Sequence, residues 1–176
     1  MRKYKTIAIP VTFTDDVPRF LTVRDKRFKE WIFVTGGCKK REEYFPLKCA
    51  LRELEEETRG IINLKMGEYT NFKFSVNENG DILEYSVFIF FVNISRDDQI
   101  NIINKFNNEK DKMQNRIIPL KKAYDENDLL SFDTLSEFKM RQLWERINYN
   151  VINNPNFYSC VTSKKRKKFN IISNEI

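Results

Sequence analysis

Gly36-Gly37-Cys38-Lys39-Lys40-Arg41-Glu42-Glu43-Tyr44-Phe45-Pro46-Leu47-Lys48-Cys49-Ala50-Leu51-Arg52-Glu53-Leu54-Glu55-Glu56-Glu57-Thr58-Arg59-Gly60 is the stretch whose reading decides the fold. A pair of glycines opens it, a mostly charged loop leads to Phe45-Pro46, and a glutamate-rich segment closes it at Gly60. Proline suits the first position of a helix, because its missing N–H is one of the donors left without a partner there. From Pro46 onward, Leu47, Ala50, Leu51, Leu54 and Thr58 recur at helical spacing, a stripe that lays one side of a helix on a core. On such a helix Glu53, Glu56 and Glu57 stand at i, i+3 and i+4 and project from one face. Three crowded carboxylates repel, and hard divalent cations that prefer oxygen, Mg²⁺ or Mn²⁺, relieve the repulsion. Arg52, four residues before Glu56, is placed to orient a carboxylate by hydrogen bonding. A glutamate-rich helix by itself is more often a solvated surface. The strand and glycine turn ahead of this one shift the balance, since they bring backbone carbonyls and N–H groups back against the carboxylates.

On either side the chain alternates between strand and helix patterns. Trp31-Ile32-Phe33-Val34 is a short apolar strand stopped by Thr35-Gly36-Gly37. Thr6–Phe13 and Phe20–Val23 read as two earlier strands, with a turn at Asp15–Pro18. Phe72–Val76 and Ile82–Ile94, separated by the Asn79-Gly80 turn signal, predict a hairpin at the centre of the sheet. Residues 97–113 carry Ile100, Ile103 and Phe106 at helical spacing and form a weak amphipathic helix or an irregular insertion. Ile117-Ile118-Pro119-Leu120 fits an edge strand, which tolerates proline, and an acidic loop follows at Asp125–Asp128. A final helix is expected from an Asp133 or Thr134 cap, with Glu137 three residues after Thr134 and Leu135, Phe138, Leu143, Trp144 and Ile147 along one side. The pattern predicts a single domain over residues 1–155 and a basic C-terminal tail over residues 156–176.

Composition narrows the chemistry. At 176 residues and 21.2 kDa, with 41% hydrophobic residues and fifteen Phe, the chain has material for one core and one site. The absence of His excludes Ser-His-Asp and Cys-His nucleophilic machinery and His-ligated zinc, so catalysis must rest on carboxylates, Lys, Tyr or a metal. Three cysteines with no paired spacing are expected to be reduced thiols. The longest apolar run, Val87–Val92, is far below the ~20 residues that span a bilayer, and no secretory cleavage pattern follows the N-terminus, so a cytoplasmic protein without a membrane segment is expected. A net charge of +6 and a pI near 9.2 point to a polyanionic partner. The cluster Lys164-Lys165-Arg166-Lys167-Lys168 is either a solvated tail or a contact to a phosphate backbone.

The 36–60 stretch resembles the Nudix box, in which a Gly, five residues, a Glu and seven residues precede Arg-Glu-(aliphatic)-x-Glu-Glu-x-Gly. Gly37 supplies the first Gly, Glu43 the Glu, and Arg52-Glu53-Leu54-Glu55-Glu56-Glu57 the cluster, with Pro46 where many members start the helix. The chain departs from the pattern twice. Eight residues separate Glu43 from Arg52, which leaves Glu42 as an alternative to Glu43, and Arg59 stands where the pattern has Gly. The expectation for the second departure is a helix one residue longer, with Gly60 taking the left-handed cap.

The resemblance implies an α/β/α sandwich around a mixed β-sheet, and hydrolysis of a nucleoside diphosphate linked to another group. It implies that Glu53, Glu56 and Glu57 hold Mg²⁺ or Mn²⁺, with the Gly36 carbonyl as a further ligand. Arg52 then orients the carboxylates, and Glu53, or less directly Glu126, takes the proton from the attacking water. Gly37, Lys39, Lys40 and Glu43 are expected to meet the substrate. Capped RNA, as in the decapping members, is the first-choice substrate, with the 164–168 cluster as an RNA contact. Dinucleoside polyphosphates, nucleoside triphosphates and inositol pyrophosphates are the alternatives, and a non-catalytic RNA- or nucleotide-binding module is the reading from another class. Phe72, Phe74 and Tyr85 are strand aromatics that serve either the core or a stacked base.

Overall fold

The computed structural model describes residues 1–65, 68–114 and 122–162. The β-prone opening forms β1 (Arg2–Thr14) and β2 (Val17–Asp25), joined by a turn in which Asp15 and Asp16 have φ of 52° and 63°. Aspartate tolerates this left-handed region because its short polar side chain bonds locally. The Trp31 run divides into β3 (Trp31–Ile32) and β4 (Val34–Gly37). One edge of β1 serves two partners, β4 along its first half, from Lys5↔Gly37 to Ala8↔Val34, and β2 along its second, from Val11↔Phe20 to Thr14↔Val17. On its other edge β1 runs parallel to β6 (Asp81–Phe91), which forms the expected hairpin with β5 (Tyr69–Glu78) across Asn79-Gly80. β7 (Asn127–Asp133) adds to β2. The result is a seven-stranded mixed sheet with the path β3-β2-β1-β6-β5. The hairpin therefore does not supply the centre. β6 is interior, β5 ends the path, and β1 is the middle strand.

Period-two alternation sends the side chains of each strand to opposite faces, and both faces are covered. Ile7, Ile9, Val11, Val87, Ile89 and Phe91 form one core with Phe138, Ile147, Val151 and Phe157. These last come from α3 (Leu135–Lys139), α4 (Glu145–Ile147), the π-helical turn Asn148–Ile152 and α5 (Pro155–Val161). Ala8, Phe88, Phe90 and Val92 form the second core with Ala50 and Leu54 of α1 (Pro46–Glu57) and Ile102 and Phe106 of α2 (Arg96–Gln114). This is the α/β/α sandwich. Each fully buried Phe or Leu in it contributes about 1.5–3 kcal/mol, so the two cores together hold the sheet rigid behind α1.

Several expectations are corrected. The last helix is not continuous. Thr134 caps α3, and Glu137 completes the capping box, but after Lys139 the chain extends so that Trp31 N–H donates to the Gln142 carbonyl at 2.8 Å and Trp144 N–H to the Trp31 carbonyl at 3.1 Å. The packed body also continues past residue 155, for Phe157 and Val161 of α5 are buried in the first core. Residues 97–113 lie in α2 rather than in an insertion. The strand expected at Ile117–Leu120 lies outside the described residues. The stretch expected to be an acidic loop at Asp125–Asp128 instead enters strand β7 at Asn127. Among the described residues no helix is long and apolar enough to cross a membrane.

Candidate active site

α1 rests its Ala50 and Leu54 side on the sheet and thereby turns Glu53 and Glu57 inward against β4, where they are only 8% and 4% exposed. Gly36 makes the approach possible, because a Cβ built there would fall inside the Glu53 carboxylate. Glu57 accepts the backbone N–H of Thr35, yet its Oε2 is buried without a hydrogen-bond partner. Glu126, from the loop ahead of β7, approaches Glu57 closely enough for a hydrogen bond between the two carboxyl groups.

Crowding and burial act on the same groups. Burial pushes the Glu57 carboxyl well above its usual range, with the negative charges of Glu53 and Glu126 adding to the effect. Burial likewise drives Glu53 up to about 7, against the pull of Arg52 and with Glu56 and Glu126 pushing the same way. Burial and mutual repulsion thus favour the protonated forms of Glu53 and Glu57, and a bound cation would favour the charged ones. No cage of three or more His, Cys, Asp or Glu ligands is already assembled among the described residues. The residues nevertheless fit a hard divalent cation. Their donors are all carboxylate oxygens, one of those oxygens is buried and unpartnered, and Gly36 lets the Glu53 carboxylate lie directly against the backbone.

Arg52 binds the group together. Its Nε and Nη2 donate to Glu42 at 2.8 and 2.9 Å, Nη1 to Glu56 at 3.0 Å, and Nη2 to the Gly37 carbonyl at 3.0 Å, while Glu53 lies 3.0 Å from Nη1. The fork holds the Glu42 carboxyl below its ordinary range. Of the two glutamates left open by the extra loop residue, Glu42 is the one that pairs with Arg52. Glu43 instead lines a separate cavity of about 320 Å³ with Tyr4, Lys5 and Tyr44. Gly36, Arg52, Glu53, Glu56, Glu57 and Glu126 come together; Lys39 and Lys40 sit exposed at the loop's outer edge. Lys164, Lys165, Arg166, Lys167 and Lys168 lie outside the described residues. Phe72 and Tyr85 are buried, and Phe74 stacks on Tyr85 at 4.7 Å, so these aromatics serve the core.

Two features were not read from the sequence. Cys38 and Cys49 form a disulfide, which ties the glycine turn to α1 and corrects the expectation of three reduced thiols; Cys160 is the free one. Their eleven-residue separation matches no metal or disulfide spacing, and only the fold brings them together. The helix end also differs from expectation. α1 stops at Glu57, and Arg59 itself takes the left-handed conformation at φ 57°, followed by Gly60 at 77°.

Residues 4–138 match the family model described as the NUDIX domain. A comparison with curated proteins found no match. Among solved structures, the chain is similar to the NUDIX domain of Shewanella oneidensis NrtR complexed with ADP ribose, at 10% identity and TM-score 0.55 over 83% of this chain and 81% of that one. It is also similar to the C-terminal domain of mouse MUTYH in complex with human PCNA, at 12% identity and TM-score 0.52 over 90% and 86% of the two chains. At these identities the likeness is one of fold.

Proposed function

We propose that this chain, which belongs to the NUDIX domain family, is a pyrophosphate-bond hydrolase in which Glu53, Glu56 and Glu57 hold Mg²⁺ or Mn²⁺ to cleave a phosphate anhydride in a nucleoside-diphosphate-linked substrate. One observation carries this reading, the buried unpartnered Glu57 oxygen beside a Glu53 that packs onto Gly36. Burying a carboxylate without a partner costs several kcal/mol in principle, and a bound cation offsets that cost. When bound, a divalent cation neutralises phosphate oxygens and lowers the pKa of a coordinated water.

The remaining work belongs to the side chains. Arg52 keeps Glu56 and Glu53 turned toward β4 and fixes the loop through Glu42 and the Gly37 carbonyl. The Gly36 carbonyl would be the backbone ligand, and the Gly36–Gly37 end of β4 would receive the phosphates. Glu53 is the first candidate to accept the proton of the attacking water, because it lies among Glu56, Glu57 and Glu126 beside Gly36, where the substrate phosphates would meet the carboxylates. Glu126 is the second candidate, close to both Glu57 and Glu53.

For the substrate, the +6 charge and the 164–168 cluster favour a long polyanion, and capped RNA is our reading within the nucleotide class. The nucleotide class itself is supported by the similarity to a NUDIX domain crystallised with ADP ribose. The test is a panel of cap-labelled RNA, cap dinucleotide, diadenosine polyphosphates, nucleoside triphosphates and inositol pyrophosphates, each with Mg²⁺ or Mn²⁺. Turnover is expected to be fastest on capped RNA and to vanish in Glu56→Gln and Glu57→Gln. Deleting residues 164–176 is expected to weaken RNA binding and flatten its salt dependence. A preference for a short nucleotide with an unchanged salt slope overturns the RNA reading.

A further inference from the structure

Beside the carboxylate cluster lies a cavity of about 240 Å³ lined by Asp25, Phe28, Glu30, Ile32, Thr35 and Trp144. Two links join it to the site. Thr35, on its floor, is the residue whose N–H binds Glu57. The turn that carries its wall donates from the Lys26 N–H to the Glu126 carbonyl at 3.0 Å. The lining is mostly apolar, with the Phe28 ring 63% exposed and Trp144 as the second ring.

The two acids differ. Asp25 is engaged, for its Oδ2 accepts the Phe28 N–H at 2.5 Å and so shapes the turn. The Glu30 carboxylate has no hydrogen bond or ion pair among the described residues, while its backbone carbonyl is bonded to the Asp25 N–H at 2.9 Å and fixes its place. A mostly apolar cavity with two aromatic side chains and one unengaged carboxylate suits a planar base better than a phosphate. A carboxylate only accepts hydrogen bonds, two at a time when donors stand side by side. Guanine presents such a pair, N1–H beside its amino group, whereas adenine sets one donor next to an acceptor.

We propose that this cavity binds the guanine base of the nucleotide substrate, with Phe28 and Trp144 stacking on it and Glu30 accepting from its N1–H and amino group. The base then lies on one side of Thr35 and the phosphates on the other, over Gly36. The Watson–Crick edge is read and N7 is not, so guanine and 7-methylguanine share the slot. The proposal rests on the nucleotide-hydrolase reading above but fails separately from it.

The test is a tryptophan-fluorescence titration of the full chain with GMP, 7-methyl-GMP and AMP in EDTA, alongside hydrolysis of the matching diphosphate-linked compounds with Mg²⁺. Both guanine nucleotides are expected to bind about tenfold more tightly than AMP, as one two-donor base contact provides. Glu30→Gln should bring the three within about threefold, and Phe28→Ala should weaken all of them by about tenfold, the scale of one lost stacking contact. Phe28 is exposed, so its removal leaves the fold intact. AMP binding as tightly as GMP, or a guanine preference that survives Glu30→Gln, overturns the proposal. Metal-dependent hydrolysis of adenine and guanine compounds alike overturns the guanine slot and leaves the hydrolase standing; Glu30-dependent guanine binding without any turnover does the reverse.

Discussion

Arg59 Nη2 donates to the Asn127 carbonyl at 2.8 Å, while its Nε reaches the Tyr124 carbonyl at 3.1 Å, so one guanidinium brackets Glu126 from both sides. A third bond, from Nη1 to the Phe106 carbonyl at 2.8 Å, and the Phe106 ring 3.9 Å away anchor the group to α2. A left-handed backbone costs a non-glycine residue about 1–2 kcal/mol. Three hydrogen bonds from a charged donor outweigh that, which explains why arginine stands where glycine is easier to place. Arg59→Gly relaxes the backbone but opens the bracket. It is expected to lower stability by about 2–3 kcal/mol and to slow turnover as Glu126 loses its place. Thermal unfolding and steady-state kinetics check this, and a variant with wild-type Tm and kcat contradicts it.

The disulfide predicts a dependence on redox conditions. Closing a loop between Cys38 and Cys49 stabilises by about 3 kcal/mol in the chain-entropy estimate. Cys38→Ser, or reduction with dithiothreitol, is therefore expected to lower Tm by several degrees. Coincident melting curves with and without reductant tell against the bond.

Acid is expected to loosen β7. Burial works to raise the Asp128 carboxyl, but Arg24 and Lys29 outweigh it and hold the group at about 2, against an ordinary 3.8. Because the folded value is the lower one, this stabilisation is present above about pH 4 and is lost as pH falls toward 2, a change of about 2 kcal/mol. Asp128→Asn should remove that segment of the pH–stability curve while leaving the curve above pH 5 parallel to wild type. Superimposable acid limbs contradict the assignment.

These pairs also explain what the sequence could and could not reveal. The α1 stripe, Pro46 and the Glu53, Glu56 and Glu57 spacing are local, so the helix, its proline start and its glutamate face were legible, as were the Asp15-Asp16 and Asn79-Gly80 turns. β7 was not, because Asp128 and Asp133 look like loop residues until Arg24 and Arg141 are seen to neutralise them in the fold. The same holds for Glu42, whose partner Arg52 lies ten residues away, and for Arg59, whose three acceptors are all backbone carbonyls and carry no sequence signal. The last helix failed for a related reason, in that pairing with Trp31 outcompetes helix formation at Gln142–Trp144.

The account turns on Glu57, whose buried oxygen lacks a hydrogen-bond partner and is proposed to meet a cation. The direct measurement is Tm and phosphate-anhydride turnover of wild type and Glu57→Gln, each with and without Mg²⁺. The predicted result is that Mg²⁺ raises the wild-type Tm and supports turnover. The variant, relieved of a crowded buried acid, should melt at or above the metal-free wild type, ignore Mg²⁺ and turn nothing over. A Glu57→Gln protein that still hydrolyses the substrate with Mg²⁺, or a wild type indifferent to the metal, contradicts it.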